Sequence, residues 1–157
     1  MIRKTRIYAD TSVFGGVADE EFKTIAFRFF EEVHAGRYAL IISEITAREL
    51  RDAPVVVRQF VSTLPEDAVE DLPFTPEMLE LRNAYLSAKV VGQRWSDDAA
   101  HVAAATVARA DLIVSWNFRH IVNWDKIRSF NSVNLRLGYP LMTILSPREV
   151  IANEEDL

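Results

Sequence analysis

A three-layer α/β domain around a mainly parallel sheet is predicted by three observations. Short apolar runs of strand length alternate along the chain with longer segments whose apolar residues recur at helical spacing. The 157 residues are enough for one ordinary core and short for two. No linker, repeat or low-complexity segment divides them, so residues 1–157 are expected to form one domain, with 152–157 as a frayed tail.

The elements follow in order. Arg6 to Ala9 is a short strand entering the core, broken by Asp10-Thr11-Ser12, after which Gly15-Gly16 permits a loop. Phe22, Ile25, Ala26, Phe29, Phe30 and Val33 recur at helical spacing, predicting an amphipathic helix over 21–34 with Gly36 as its C-cap. Tyr38 to Ile42 is a continuous apolar run, as in a parallel strand buried on both faces. Ser43 is placed to cap the next helix, which holds Ile45, Glu49 and Leu50.

A helix over 55–64 and a short strand over 69–74 come next. Thr75-Pro76-Glu77 is a helix opening, with a capping hydroxyl, Pro at the first position and an early acid. That helix is expected to run to about Val91 and stop at Gly92. Ser96 is the expected cap of an alanine-rich helix over 97–110, followed by a strand over 111–115. A weaker helix over 126–137 ends at Gly138, a last strand covers 141–145, and Pro147 opens a terminal helix.

Composition excludes several function classes. Half of the chain (49%) is apolar and 26% is charged, which is globular rather than disordered. There is no cysteine, so disulfides, thiolate metal sites and Cys nucleophiles are impossible. The first ten residues lack the apolar core of a signal peptide, and no apolar run approaches a bilayer span. A cytoplasmic protein without a membrane partner is expected. The net charge of −5 argues against a broad nucleic-acid footprint but leaves room for a local basic patch. Arg3, Lys4 and Arg6 form one candidate patch, and Arg119, His120, Lys126 and Arg128 another; a solvated surface is the competing explanation.

Chemistry enters with three acids and one amide. Asp10 closes the first strand, Asn117 follows the strand ending at Ser115, and Glu49 and Asp98 lie in predicted helices. If the strands are parallel, their ends face one crevice, where ligand sites of open α/β sheets form. Carboxylates converging there repel one another unless a cation lies between them.

These residues carry a family resemblance. Tyr8-Ala9-Asp10-Thr11-Ser12-Val13 resembles the first motif of PIN-domain ribonucleases, a hydrophobic strand delivering Asp with Thr and Ser behind it. Residues 43–50, SEITAREL, look like the second, in which a helix presents a Glu. Residues 98–105, DAAHVAAA, are similar to the third, an Asp opening an alanine-rich helix. Residues 110–118, ADLIVSWNF, look like the fourth, a strand followed by an acid, except that Asn117 replaces the commoner Asp. The resemblance spans Ile7 to about Leu145. It implies a PIN-like α/β/α fold and a metal-dependent endoribonuclease, and it is similar to the VapC-type toxins of type II toxin–antitoxin systems. An antitoxin partner and a homodimer are then expected.

Phosphodiester hydrolysis needs an in-line water and stabilisation of charge on the attacking and leaving oxygens, which Mg²⁺ or Mn²⁺ held by carboxylates can supply. Asp10 and Asp98 are the expected metal ligands, with Glu49 holding or orienting a water. Asn117 offers only a neutral carbonyl or a hydrogen bond, and Thr11 or Ser12 would support a carboxylate or a phosphate. Each residue also has a plain structural alternative. Asp98, like its neighbour Asp97, would suit a helix first turn, and Asn117 would suit a turn. His101 shares the face of Asp98 but stays outside the expected catalytic set, as a packed residue. Trp116, Phe118 and Trp124 are expected mainly as buried or interface aromatics, with stacking on RNA bases the other option. A dehalogenase-type phosphatase would need a second Asp two residues after Asp10, where Ser12 stands. A non-catalytic PIN-like module that binds RNA or protein is the remaining alternative, favoured by Asn117.

Overall fold

The computed structural model describes residues 3–155. Strand β1 (Thr5–Ala9) lies at the centre of a five-stranded sheet with β2 (Tyr38–Ser43), β3 (Val69–Leu72), β4 (Leu112–Val114) and β5 (Thr143–Leu145). The order is β3-β2-β1-β4-β5, and every neighbouring pair is parallel. Continuous apolar runs produce this arrangement because both faces of the central strands are covered. Successive residues alternate between two cores: Ile7, Ala9, Leu40, Ile42 and Val114 face one, while Tyr8, Ile41 and Ile113 face the other.

The first core is closed by the helices α2 (Lys23–His34), α4 (Val55–Ser62) and α8 (Pro147–Glu155), through Phe29, Phe30, Val33, Val57, Val150 and Ile151. The second is closed by α5 (Pro76–Ser87), α6 (Ser96–Val107) and α7 (Trp124–Arg136), through Leu81, Tyr85, Phe130 and the alanines of α6. Alanine at 99, 100 and 103–105 lets α6 pack tightly on the sheet and on α5. The result is the expected three-layer α/β/α sandwich.

Topology places the site. From β1 the chain steps outward to β2 and β3, then returns to lay β4 on the other side of β1. The connections leaving β1 and β4 therefore diverge, opening a crevice at their C-terminal ends. Asp10 follows β1 directly, and Ser115 to Asn117 follow β4.

Several boundaries differ from the sequence-based expectation, each for a local reason. Instead of a loop after Asp10, a one-turn helix α1 (Thr11–Gly15) forms and continues into a 3-10 turn, Gly16–Ala18. Gly16 is required there, because a β-carbon would sit 2.9 Å from the Trp116 indole nitrogen. α5 stops at Ser87 rather than at Gly92, because Lys89 itself takes the left-handed conformation (φ 58°). Arg109 does the same after α6 (φ 56°), so neither end is marked by glycine. Ser96 is the first residue of α6, and its side chain caps nothing. α7 begins two residues earlier than expected, because the Asn123 side chain accepts from the backbone N–H groups of Asp125 and Lys126. α8 stays helical through Glu155 where a frayed end is expected from 152, and residues 156–157 of that expected tail lie outside the described residues.

Candidate functional site

Asp10 is 4% exposed and ties the two strand ends together. Ser12 Oγ donates to its Oδ1 and Ser115 Oγ to its Oδ2, both at 2.6 Å. Each serine in turn accepts a backbone N–H from the segment beyond β4: Trp116 N to Ser12 at 2.8 Å, and Asn117 N to Ser115 at 2.9 Å. Burial pushes the Asp10 carboxyl above its ordinary value, against the lowering effect of His101 and the two serine hydroxyls, and the Asp98 charge adds to the rise.

Glu49 is delivered by α3 (Glu44–Leu50), whose N-terminus is capped by Ser43 Oγ accepting from Thr46 N. Glu49 Oε1 meets Thr11 Oγ1 at 3.0 Å and His101 Nε2 at 2.7 Å. On its other side the His101 ring meets the Tyr8 hydroxyl at 2.7 Å, and Tyr8 meets Ser43 Oγ at 2.7 Å. A buried chain of polar groups thus runs from the cap of α3, through the central strand, to the Glu on that same helix. Burial alone would raise the Glu49 carboxyl, but His101, Thr11 and Arg48 bring it below its usual value. Both contacts fall on Oε1, which leaves Oε2 open to a water or ligand.

Asp98 opens the inward face of α6, and its Oδ2 lies 2.8 Å from His120 Nδ1. Asp97 is 60% exposed, with Arg48 at 3.8 Å. The Asn117 carbonyl oxygen accepts from the backbone N–H groups of Arg119 and His120, at 3.2 and 3.0 Å. Its amide therefore builds the turn that presents His120 to Asp98. Asn117→Ala should cost about 1 kcal/mol, as the loss of a capping acceptor does, whereas Asn117→Asp should keep both bonds. Denaturant titration checks this; equal losses in the two variants would refute the capping role.

The four expected basic residues divide among two tryptophan rings and a backbone carbonyl. Arg119 lies over the Trp95 ring and His120 stacks against the same ring, beside Asp98. Lys126 Nζ is committed to the Val90 carbonyl at 2.7 Å, and Arg128 lies over Trp124. Trp116 is buried and stacked on Phe22, while Phe118 and Trp124 are exposed in the single chain, which leaves the interface and base-stacking alternatives for these two. His101, Tyr8 and Ser115 belong to the site although the motifs single out none of them.

No family model matches the sequence, and no curated protein matches it. Solved structures do. FitAcB from Neisseria gonorrhoeae superposes with a TM-score of 0.60 at 15% identity, over 90% of this chain and 97% of the other. VapBC2 from Rickettsia felis, bound to a DNA fragment from its promoter, gives 0.58 at 13%, over 90% and 98%. DNA-bound VapBC from Salmonella typhimurium gives 0.53 at 20%, over 91% and 98%. This chain has a VapC-like PIN fold.

Within that fold, the donor set decides what kind of metal site is possible. Among the described residues, no three acid, histidine or cysteine side chains gather closely enough to form a ready cation cage. Glu49 is engaged by His101, and the Asn117 oxygen is taken by its own turn. Asp10 and Asp98 lie near enough that the charge of Asp98 raises Asp10, although Asp98, like Glu49, has one oxygen engaged by a histidine. Two carboxylates fit Mg²⁺, which commonly keeps several waters and uses only one or two protein acids. They do not fit a dry site with many protein ligands. No described helix is long and apolar enough to cross a membrane.

Proposed function

We propose that this PIN-fold chain is a metal-dependent endoribonuclease, acting as the toxin of a type II toxin–antitoxin pair. The observation that carries the reading is Asp10: a buried acid at the mouth of the β1/β4 crevice, with Asp98 close by. A cation relieves the penalty that burial and the neighbouring charge impose on ionised Asp10. Mg²⁺ or Mn²⁺, when bound, supplies charge stabilisation and a water acidified toward neutral pH. Asp10 and Asp98 would hold it, while Ser12 and Ser115 keep the Asp10 carboxylate from rotating. The free Oε2 of Glu49 is the acceptor available to orient an attacking water, and His101 and Thr11 fix that carboxylate from behind.

Cleavage of RNA should require Mg²⁺ or Mn²⁺ and stop with EDTA, followed on a structured RNA substrate such as tRNA. Full cleavage in EDTA would sink the mechanism. A second reading, a non-catalytic RNA- or protein-binding module, draws on the internal pairing of Glu49 with His101 and Asp98 with His120. Calorimetry separates the two: such a module shows no Mn²⁺ binding that disappears on Asp10→Ala.

The partner proposals follow from the same fold. The matching structures are VapBC and FitAcB, with both VapBC structures bound to DNA, which supports a small antitoxin partner here. Trp124 is 73% exposed, and Leu135 and Leu141 are also largely exposed, which supports a homodimer through this side of the molecule. Sedimentation should show a dimer at micromolar concentration; a strict monomer would refute it.

A further inference from the structure

Arg94 lies in the 3-10 turn Gln93–Trp95 that leads into α6, and Arg119 lies in the turn after β4. Separate segments thus bring two cations to one ring. Each guanidinium carbon is 5.1 Å from the Trp95 centroid, so the two are no more than twice that distance apart. Both side chains are exposed. Neither has a carboxylate partner among the described residues, although acids outnumber bases 23 to 18 in the chain. Some other arginines are paired with acids, as in Arg3 with Asp111, Arg6 with Glu70, and Arg48 with Asp97.

The position of this pair distinguishes it from ordinary surface charge. The Trp95 ring packs on His120 with centroids 4.5 Å apart, and His120 bonds Asp98. The pair therefore sits one aromatic and one imidazole away from a carboxylate of the candidate active site. An anion bound between two guanidiniums gains directed N–H donors from both. Cation–π contact with Trp95 restrains the two side chains in advance, which lowers the ordering cost of binding.

We propose that Arg94 and Arg119, held on Trp95, form a phosphate clamp that fixes a single-stranded segment of RNA beside Asp98. The inference rests on the ribonuclease reading for its choice of RNA, but its test does not depend on cleavage. It also replaces the four-residue patch expected from sequence: Arg94 joins Arg119, while Lys126 and Arg128 fall outside the clamp.

Binding of a single-stranded RNA oligonucleotide in EDTA, where cleavage is suppressed, provides the test. Fluorescence anisotropy would be followed across a salt series for wild type, Arg94→Ala/Arg119→Ala, Arg94→Lys/Arg119→Lys and Arg128→Ala. Each phosphate contact on a single strand contributes about 0.7 to the slope of log K against log salt. The double alanine variant should lower that slope by about 0.7, the share of one phosphate contact, and weaken binding at least tenfold, with an unchanged melting temperature. The double lysine variant should recover the slope but only part of the affinity, and Arg128→Ala should match wild type. A double alanine variant with the wild-type slope, or wild type that fails to bind, overturns the clamp. If wild type binds through these arginines yet cleaves no RNA with Mg²⁺ or Mn²⁺, the clamp stands and the nuclease reading falls.

Discussion

Asp10→Asn and Asp98→Asn should each lower RNA cleavage by about 100-fold or more while leaving circular dichroism unchanged. The substitutions preserve shape but remove the negative charge that a two-carboxylate cation site depends on. They differ in what else they disturb. Asn at 10 can keep one oxygen for a serine donor, but its amide nitrogen then faces the other serine, Ser12 or Ser115, each of which now donates to a carboxylate oxygen. Asn at 98 can keep an oxygen within reach of His120 Nδ1 but not the negative charge. Both should also lose Mn²⁺ affinity by calorimetry. Asp97→Asn is the control, since the Asp97 side chain is largely exposed and pairs with Arg48 at 3.8 Å. Wild-type cleavage by Asp98→Asn, or loss confined to Asp97→Asn, would show that the wrong acid has been placed in the site.

The features that sequence reveals well here are those written in short-range pattern. Both-face burial of Tyr38–Ser43 shows as an unbroken apolar run, the α5 start shows as Thr75-Pro76-Glu77, and Gly36 marks the end of α2 with φ 80°. The features that remain hidden depend on a residue acting against type. Lys89 and Arg109 take the left-handed conformation that glycine usually signals, so the ends of α5 and α6 carry no glycine marker. α1 is a single turn of five residues, too short for any periodicity to register.

The site divides in the same way. Asp10, Glu49, Asp98 and Asn117 are visible as types at motif positions, but their partners come from distant segments that only the sheet order brings together. Ser115 reaches Asp10 across 105 positions, and His101 reaches Glu49 across 52. One signal was available for His101: it lies one turn after Asp98, on the face that the alanine stripe turns toward the sheet. A histidine on that face must find polar partners or remain a buried unsatisfied group. No comparable signal marks Trp95, because its importance lies in what two separate turns place over it.

His101→Ala should destabilise the fold by about 2–3 kcal/mol, the cost of leaving buried polar partners unpaired. The ring is 3% exposed, and its loss strips one hydrogen bond each from Tyr8 and Glu49. His101→Gln can restore only part of that. The pH dependence separates this role from simple packing. Burial disfavours the imidazolium, but the Tyr8 hydroxyl, the Glu49 bond and the charges of Asp10 and Glu49 outweigh it and raise His101 above its ordinary 6.5. A raised pKa contributes stability that is complete below the unfolded value and is lost as pH rises through the folded one. Glu49, lowered from 4.5, contributes above that value and loses its share as pH falls through its folded pKa. The pair should therefore stabilise fully between about pH 4.5 and 6.5 and progressively less on the alkaline side. Asp10, raised from 3.8, has the same sign as His101. Melting temperatures measured from pH 6 to pH 10 in EDTA should fall more steeply for wild type than for His101→Gln. Parallel profiles would mean that His101 is neutral in the folded protein and only fills space.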